Sequence, residues 1–206
     1  MRSFFVDLKR AICSPVFLIG VCLQFLIMKI SGAYEGLHMA CVPVLATLPY
    51  STAWLQDYES GYVKSYLPRS GVCSYILGKI VACGLSGGLL ELLGCYLYLQ
   101  VEFTVEMDLK LIFLSGMVWA MISAVLAAWW HSRYVAYGGA FVIFYILVMI
   151  QERYFVDMYY INPEIWLQTT EFGRLGAFGL FYVLGGLSLI LILLYGWILR
   201  RSIYND

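Results

Sequence analysis

Charged residues are scarce in this sequence. Asp, Glu, Lys and Arg make up 13% of its 206 residues, whereas about 25% is usual in soluble domains. Hydrophobic residues reach 62%, and the mean hydropathy is +0.81. These values are typical of a membrane protein, and the polar remainder is too small for a second, soluble domain. Because the formal net charge is zero, the chain has no overall attraction for nucleic acid.

Motifs for metal binding and catalysis are also missing. The six cysteines form no C-x-x-C pair, so we interpret them as small apolar packing residues. Neither His38 nor His131 has a second His or Cys at metal-ligand spacing, and we therefore predict no metal site. Gly78-Lys79 is followed by Ile80 and not by Ser or Thr, so the chain lacks the loop that binds ATP phosphates. Without a recognisable nucleophile–base motif, we expect the chain itself to be non-catalytic.

Long hydrophobic runs are what the sequence does contain. A helix that crosses the hydrocarbon core needs about 20 predominantly apolar residues, and somewhat shorter runs also suffice. The runs predict an all-α integral membrane protein, with a single transmembrane domain over residues 1–206 and six transmembrane helices. Pro43 and Pro49 fall in the second helix, which we expect to be kinked or packed against protein. The predicted spans are 15–30, 39–54, 80–99, 111–130, 135–150 and 178–199.

The N-terminal residues 1–13 predict an amphipathic helix that lies in the membrane interface. The alternative to this helix is a frayed terminus with chance periodicity. For the first span, the alternative is a cleaved signal peptide, because a basic start precedes an apolar run. Lys29 at the end of that run, the absence of a small-x-small cleavage site and the many later spans favour a retained first span. The helix has an apolar side with Phe4, Phe5, Leu8 and Ile12, and a charged side with Asp7, Lys9 and Arg10.

The distribution of Lys and Arg predicts the orientation in the membrane. Cytoplasmic loops carry an excess of these residues. With the N-terminus inside, nine of the 13 fall on the inner side, so we predict a multi-pass protein of the plasma membrane with both termini cytoplasmic. The predicted inner set is Arg2, Lys9, Arg10, Lys64, Arg69, Lys79, Arg133, Arg200 and Arg201; the outer set is Lys29, Lys110, Arg153 and Arg174.

Two connections are longer than a turn. Residues 151–177 form a predicted external hairpin, in which Asn162-Pro163-Glu164 has the cap, the proline and the acid of a helix start. Residues 55–79 lie on the predicted cytoplasmic side. That segment begins with acidic residues, continues through Gly61 to aromatic and apolar residues, and then reaches a proline. It predicts a short helix parallel to the membrane and broken at Pro68, although an ordinary loop is the alternative.

The cytoplasmic segment resembles that of type 2 ABC-transporter permeases. The resemblance is carried by Glu59-Ser60-Gly61, Leu67-Pro68, Tyr75 and Gly78-Lys79, together with six predicted spans, cytoplasmic termini and a long last external hairpin. It implies a coupling helix that docks on a separate cytosolic ABC ATPase subunit. By this resemblance the coupling residues are Asp57, Glu59, Gly61, Tyr66, Leu67, Pro68 and Arg69.

The same resemblance implies an ATP-driven exporter that pairs with a second copy of the permease or a paralogue. This chain would hold no cofactor, and ATP and Mg²⁺ would bind to the partner ATPase. The apolar, aromatic spans favour a hydrophobic or amphipathic cargo, for example a peptide or another antimicrobial molecule. The alternatives are an ATP-independent secondary transporter or channel that uses Glu91, and a membrane scaffold that transports nothing.

Glu91 is the one charge deep inside a predicted span. Ionisable residues there are costly and usually face a partner or a wet cavity. Glu91 is therefore the candidate residue of a translocation path, as a substrate contact or as a proton or cation site; a protonated structural hydrogen bond is the alternative. We expect it to face the interior of the bundle or of a dimer. Gly84 and Gly88 lie four residues apart in the same span, a spacing that permits close helix packing.

Overall fold

The computed structural model describes residues 2–33, 36–102, 107–155, 158–167 and 176–205. Within these ranges all regular structure is helical, which confirms the predicted all-α class. The α-helices are α1 (Arg2–Ile12), α2 (Pro15–Ser31), α3 (Gly36–Leu45), α4 (Ala53–Glu59), α5 (Tyr62–Ser70), α6 (Val72–Leu99), α7 (Leu109–Trp130), α8 (Arg133–Tyr154) and α9 (Gly176–Asn205), with short 3₁₀ helices at Tyr159–Ile161 and Ile165–Leu167.

Four of the described helices are long and apolar enough to cross a membrane. They are Val72–Leu99, Leu109–Trp130, Arg133–Tyr154 and Gly179–Tyr204. Helices α1 and α2 meet at a bend of 47° and give a fifth candidate if the pair is one broken span. The helices thus agree with a protein of the lipid bilayer, whereas the predicted number of six spans is not confirmed.

The region predicted as one span over 39–54 is interrupted. Helix α3 ends at Leu45, and turns lead to α4, which begins at Ala53. Pro49 lies in these turns and has no N–H to donate to a helix. Ten residues of α3 rise only about 15 Å, half of the hydrocarbon thickness. Buried side chains fill the turn region, and such irregular backbone is tolerated at membrane depth only where protein covers it.

Helix α6 is the centre of the fold and contacts α1, α2, α7 and α9. Its closest partner is α7, because small residues let the two backbones approach: a Cβ built on Gly87 would lie 2.3 Å from the Cβ of Ala120. The predicted packing residues lie on this same seam. A Cβ on Gly84 would lie 3.2 Å from Met117 Cγ, and one on Gly88 would lie 2.7 Å from Phe113 Cε2. Both glycines therefore pack against α7 of their own chain.

Helix α1 also packs on α6. Of its predicted apolar side, Phe4, Leu8 and Ile12 are half-buried. Asp7 and Ala11 are buried, whereas Phe5 and Val6 are exposed. Of the predicted charged side, Asp7 therefore points into the protein. The reason is a buried partner for Asp7 on α6, the amino group of Lys79.

The described part of the 151–177 connection contains a capped turn. Glu164 N donates to Asn162 Oδ1 over 2.9 Å, so Asn162 does act as a cap, but only a 3₁₀ helix, Ile165–Leu167, follows. Trp166 is buried and donates its Nε1–H to Tyr160 O at 3.0 Å. The 3₁₀ helix Ile165–Leu167 contacts α7, so the turn packs against the bundle. Residues 168–175, which include Glu171 and Arg174, lie outside the described residues.

Candidate functional site

The predicted coupling segment is a hairpin of two short helices, α4 and α5. Gly61 joins them with φ of +70°, a left-handed conformation that glycine adopts without strain. A Cβ at this position would meet no other atom within 4 Å, so the backbone conformation and not lack of space favours glycine there. Glu59 at the end of α4 pairs with Arg133 at the start of α8. The hairpin is therefore attached to α8 as well as to its own chain neighbours.

Helix α5 extends further than the sequence predicts. It continues through Pro68 and Arg69 and ends at Ser70, before Gly71 with φ of +77°. The expected break at Pro68 is therefore wrong, and a left-handed glycine ends the helix instead. The side chains of Pro68 and Arg69 lie outside the described part of the chain.

The remaining coupling candidates form a surface with a cavity beside it. The Tyr66 ring stacks on that of Tyr62 with centroids 5.0 Å apart, and Leu67 packs partly against the core. Glu59 and Gly61 are exposed. A cavity of about 560 Å³ opens here, and its lining residues are Tyr58, Glu59, Gly61, Val63, Lys64, Leu67 and Ile203. We call these lining residues and the Tyr62–Tyr66 pair the hairpin surface.

Asp57 does not belong to the hairpin surface. It is only 5% exposed and turns inward, where its Oδ2 lies 2.7 Å from Lys79 Nζ on α6. Lys79 was predicted to be a cytoplasmic, positive residue, but it is 1% exposed. A buried lysine is stable only with paired charges and hydrogen bonds, and Lys79 has both.

The partners of Lys79 define what we call the Lys79 cluster: Asp7, Tyr50, Asp57, Tyr75 and Lys79. Lys79 Nζ lies 3.3 Å from Asp7 Oδ1 and donates to Tyr50 Oη at 2.9 Å. Tyr50 in turn donates to Asp7 Oδ1 at 2.6 Å. Tyr75 donates to Asp57 Oδ2 at 3.2 Å. The cluster joins α1, the turns after α3, α4 and α6, and sequence spacing gave no sign of it.

A second polar group surrounds Glu91, deeper in the bundle. We call Gln24, His38, Glu91 and Cys95 the Glu91 cluster; each of the four is fully buried. Gln24 Nε2 lies 2.6 Å from Glu91 Oε2 and 2.8 Å from His38 Nε2. His38 Nδ1 lies 2.7 Å from the carbonyl oxygen of Ala33. Glu91 thus faces the interior of the bundle, between α2, α3 and α7.

The Glu91 cluster is not fully hydrogen-bonded. Among the described side chains, the buried atoms without a partner include Gln24 Oε1 and Glu91 Oε1. Leaving a buried polar atom unsatisfied costs about 1–3 kcal/mol, so such atoms need an explanation. None of the buried atoms without a partner belongs to the Lys79 cluster.

The cluster also combines possible metal ligands. One ligand atom each from His38, Glu91 and Cys95 lies within 4.8 Å of the other two. In the sequence His38 has no second ligand at metal spacing, but in the fold Glu91 and Cys95 lie beside it. The usable signal in the sequence was Glu91 and Cys95, which stand four residues apart and so share a helix face. Spacing alone does not bring in His38, because it reaches the cluster from another helix.

Comparison with protein-family models, with curated proteins and with solved structures finds no match to this chain.

Proposed function

We propose that this chain is the transmembrane subunit of an ATP-driven exporter whose ATPase is a separate polypeptide. The observation that carries the proposal is the construction of the α4–α5 hairpin. Its outer side offers the hairpin surface, with exposed Glu59, Tyr62 and Lys64 beside a cavity. Its inner side is fixed to the central helix by the buried pair of Asp57 and Lys79. Such a hairpin can receive a force at the surface and pass it to the bundle.

The proposed mechanism is a change between two arrangements of the bundle. ATP binding by the partner would move the hairpin surface, and the two ion pairs of the hairpin would carry that motion to α6 and α8. A partner shifts such an equilibrium only by its different affinity for the two states. This chain would do no bond chemistry, because ATP and Mg²⁺ would be held by the ATPase.

The remaining parts of the proposal follow from the resemblance to type 2 permeases. A second copy of the permease or a paralogue would complete the path, in a plasma membrane with both termini in the cytoplasm. The cargo would be hydrophobic or amphipathic, for example a peptide. The apolar residues exposed along α8 and α9, such as Phe141, Tyr145, Leu189 and Leu193, leave faces for lipid or for the second permease.

The test is recovery of an ATPase with the membrane-extracted, full-length chain. We expect a P-loop ATPase to co-purify with the wild type, and vanadate-sensitive ATP hydrolysis in liposomes that contain both proteins. Gly61→Asp and Lys64→Glu should each release the ATPase, because they add negative charge to the hairpin surface. Arg153→Glu is the matched control, since it makes the same charge change as Lys64→Glu at an exposed residue at the other end of α8. Equal ATPase recovery from all four proteins, or none from the wild type, would contradict the proposal.

A secondary transporter or channel is the second candidate, and the unpaired oxygens of Gln24 and Glu91 favour it. In that case liposomes that contain only this chain should accumulate a cation in response to an ion gradient, without ATP. Glu91→Gln should abolish that uptake, and Gly61→Asp should leave it unchanged. A scaffold would show neither ATPase recovery nor uptake.

A further inference from the structure

The Glu91 cluster brings a nitrogen, an oxygen and a sulfur ligand together in the middle of an apolar bundle. We propose that His38, Glu91 and Cys95 bind one transition-metal ion of the Zn²⁺ type there. This inference is independent of the proposed transport function. It rests on the hydrogen bond of His38 to the Ala33 carbonyl, on the position of the Gln24 amide, on the ligand set and on the space that two glycines leave.

The hydrogen bond of His38 fixes which ring nitrogen is free to bind a cation. Nδ1 lies 2.7 Å from Ala33 O, and a carbonyl oxygen only accepts. Nδ1 therefore carries the hydrogen, and Nε2 directs its lone pair into the cluster. A ligating histidine commonly donates its other N–H to a backbone carbonyl in this way, which fixes the tautomer and the orientation of the ring.

The amino group of Gln24 occupies the place where a cation would lie. His38 Nε2 and Glu91 Oε2 both accept there, at 2.8 and 2.6 Å from Gln24 Nε2. Two acceptors converge on one electropositive group, and two acceptor oxygens, Gln24 Oε1 and Glu91 Oε1, remain unpartnered beside it. A metal ion would replace the amino group between His38 and Glu91. Rotation of the Gln24 amide would then offer its unpartnered oxygen to the same ion.

The ligand set selects the type of metal. Mg²⁺ and Ca²⁺ prefer oxygen ligands, whereas imidazole, carboxylate and thiolate together suit Zn²⁺. Zinc bonds of about 2.0–2.3 Å in a tetrahedron place ligand atoms roughly 3.5 Å apart. The three ligand atoms already lie within 4.8 Å of one another, so binding needs a contraction of at most about 1.3 Å. The charges of the Glu91 carboxylate and the Cys95 thiolate balance a divalent ion, which makes the site tolerable in an apolar interior.

Two glycines leave the space that the cluster needs. A Cβ on Gly94 would lie 2.4 Å from Gln24 Cγ, and a Cβ on Gly116 would lie 2.7 Å from Glu91 Cγ. Gly94 stands between Glu91 and Cys95 on α6, and Gly116 on α7 faces Glu91. With alanine at either position, Gln24 or Glu91 would have to leave its present place.

Cobalt titration of the full-length chain in detergent micelles tests the proposal, with Co²⁺ as a visible substitute for Zn²⁺. The background carries Cys13→Ser, Cys22→Ser and Cys73→Ser, because these three cysteines are exposed and could bind metal at the surface. We expect about one equivalent of Co²⁺ to produce a thiolate-to-cobalt charge-transfer band and the strong visible bands of four-coordinate cobalt. Zn²⁺ should remove both, and Mg²⁺ should not. A protein without a saturable thiolate band would overturn the proposal.

Substitutions in the same background assign the ligands. Cys95→Ser should abolish the charge-transfer band, while Cys83→Ser should keep it, because Cys83 is equally buried on α6 but lies away from the cluster against Ala120 O. Glu91→Gln and His38→Gln should weaken Co²⁺ binding at least ~10-fold, the low end of the loss that changes around a metal site produce. These two variants also test the ligand assignment if Cys95→Ser does not fold. If Glu91→Gln and His38→Gln gave a band of the same strength and affinity as the background protein with only the three cysteine substitutions, the metal would lie elsewhere. That result would overturn the assignment.

Discussion

Helix α6 carries two buried polar clusters that differ in one respect. The Lys79 cluster is complete: two carboxylates and the Tyr50 hydroxyl contact one amino group, and the Tyr75 hydroxyl donates to Asp57. Arg10 Nη1 lies 3.7 Å from Asp57 and offsets the second negative charge. The Glu91 cluster, twelve residues or about 18 Å further along the helix, keeps two oxygens without partners. A complete cluster holds elements together. An incomplete cluster can still bind a ligand. The free-energy cost of its unpaired oxygens must be offset by the rest of the fold.

The comparison predicts the largest loss of stability at Lys79. Lys79→Met leaves two buried carboxylates without their amino group, and removal of one partner of a buried ion pair costs about 3–5 kcal/mol. Denaturant unfolding in detergent micelles measures the free energy of unfolding. Lys64→Met is the control, since Lys64 is exposed on α5 and should change stability by only about 0.5 kcal/mol.

A second variant shows whether charge is the cause. Adding Asp7→Asn and Asp57→Asn to Lys79→Met removes the uncompensated charges and should restore part of the lost stability. If Lys79→Met is as stable as Lys64→Met, the Lys79 cluster does not hold the fold together.

The next largest effect should come from the seam between α6 and α7. In Gly116→Ala the new Cβ would meet Glu91 Cγ at 2.7 Å and Gly87 O at 2.8 Å, and the backbone oxygen has little freedom to move. Overpacking of this kind costs about 1–3 kcal/mol. Gly138→Ala on α8 is the matched control, because its Cβ would meet nothing within 4 Å. Equal unfolding midpoints for the two variants would show that the contact between α6 and α7 has room for a methyl group at position 116.

Exposed ion pairs should matter less than the Lys79 cluster or the seam between α6 and α7. Arg133 and Glu59 side chains are each about half exposed, and exposed pairs contribute about 0.2–1 kcal/mol. We expect Arg133→Ala to lower the free energy of unfolding by no more than that, and the loss should shrink at high salt because the pair is screened. A loss as large as that of Lys79→Met would mean that the α4–α5 hairpin depends mainly on this surface pair.

A small effect on stability without metal is also expected for Glu91→Gln. The amide keeps an oxygen that can accept from Gln24, and the substitution leaves no buried charge. We therefore expect an unfolding free energy within about 1 kcal/mol of wild type, the net contribution of an ordinary hydrogen bond. The matching isosteric change in the complete cluster, Asp57→Asn, should cost more, because it removes a charge that Lys79 pairs with. A larger loss in Glu91→Gln than in Asp57→Asn would reverse the comparison.

The sequence was sufficient for the helices and insufficient for the clusters. Hydropathy predicts the apolar helices α6 to α9, because length and composition alone decide whether a helix suits a bilayer. The interruption after α3 depends on Pro49, which has no N–H to donate, and on the hydroxyl groups of Thr47 and Ser51, which donate to nearby backbone carbonyls. In the sequence, the prolines indicate a weakened helix but not its end. Near the end of α5 the sequence holds two competing helix-end signals, Pro68 and Gly71, and the helix ends at the glycine.

The partners within each cluster come from distant parts of the chain. Lys79 meets Asp7 across 72 residues, and Glu91 meets Gln24 across 67. A positive residue near a span end is usually interfacial, so nothing local indicates that Lys79 is buried or that Asp57 turns inward to meet it. Glu91 was recognisable because a lone acid in an apolar run is unusual. His38 and Cys95 were not, since neither residue type is unusual at its own position.

Zinc-dependent unfolding of wild type and Glu91→Gln tests most directly whether the two clusters have different roles. A ligand that binds only the folded state at 100 times its dissociation constant adds about 2.7 kcal/mol. In the background without the three exposed cysteines, we predict that Zn²⁺ raises the unfolding midpoint of the parent protein and of Lys64→Met, and raises that of Glu91→Gln clearly less, although Glu91→Gln unfolds like the parent protein without metal. An equal Zn²⁺ shift in Glu91→Gln, or a metal-free loss in that variant as large as that of Lys79→Met, would contradict the account.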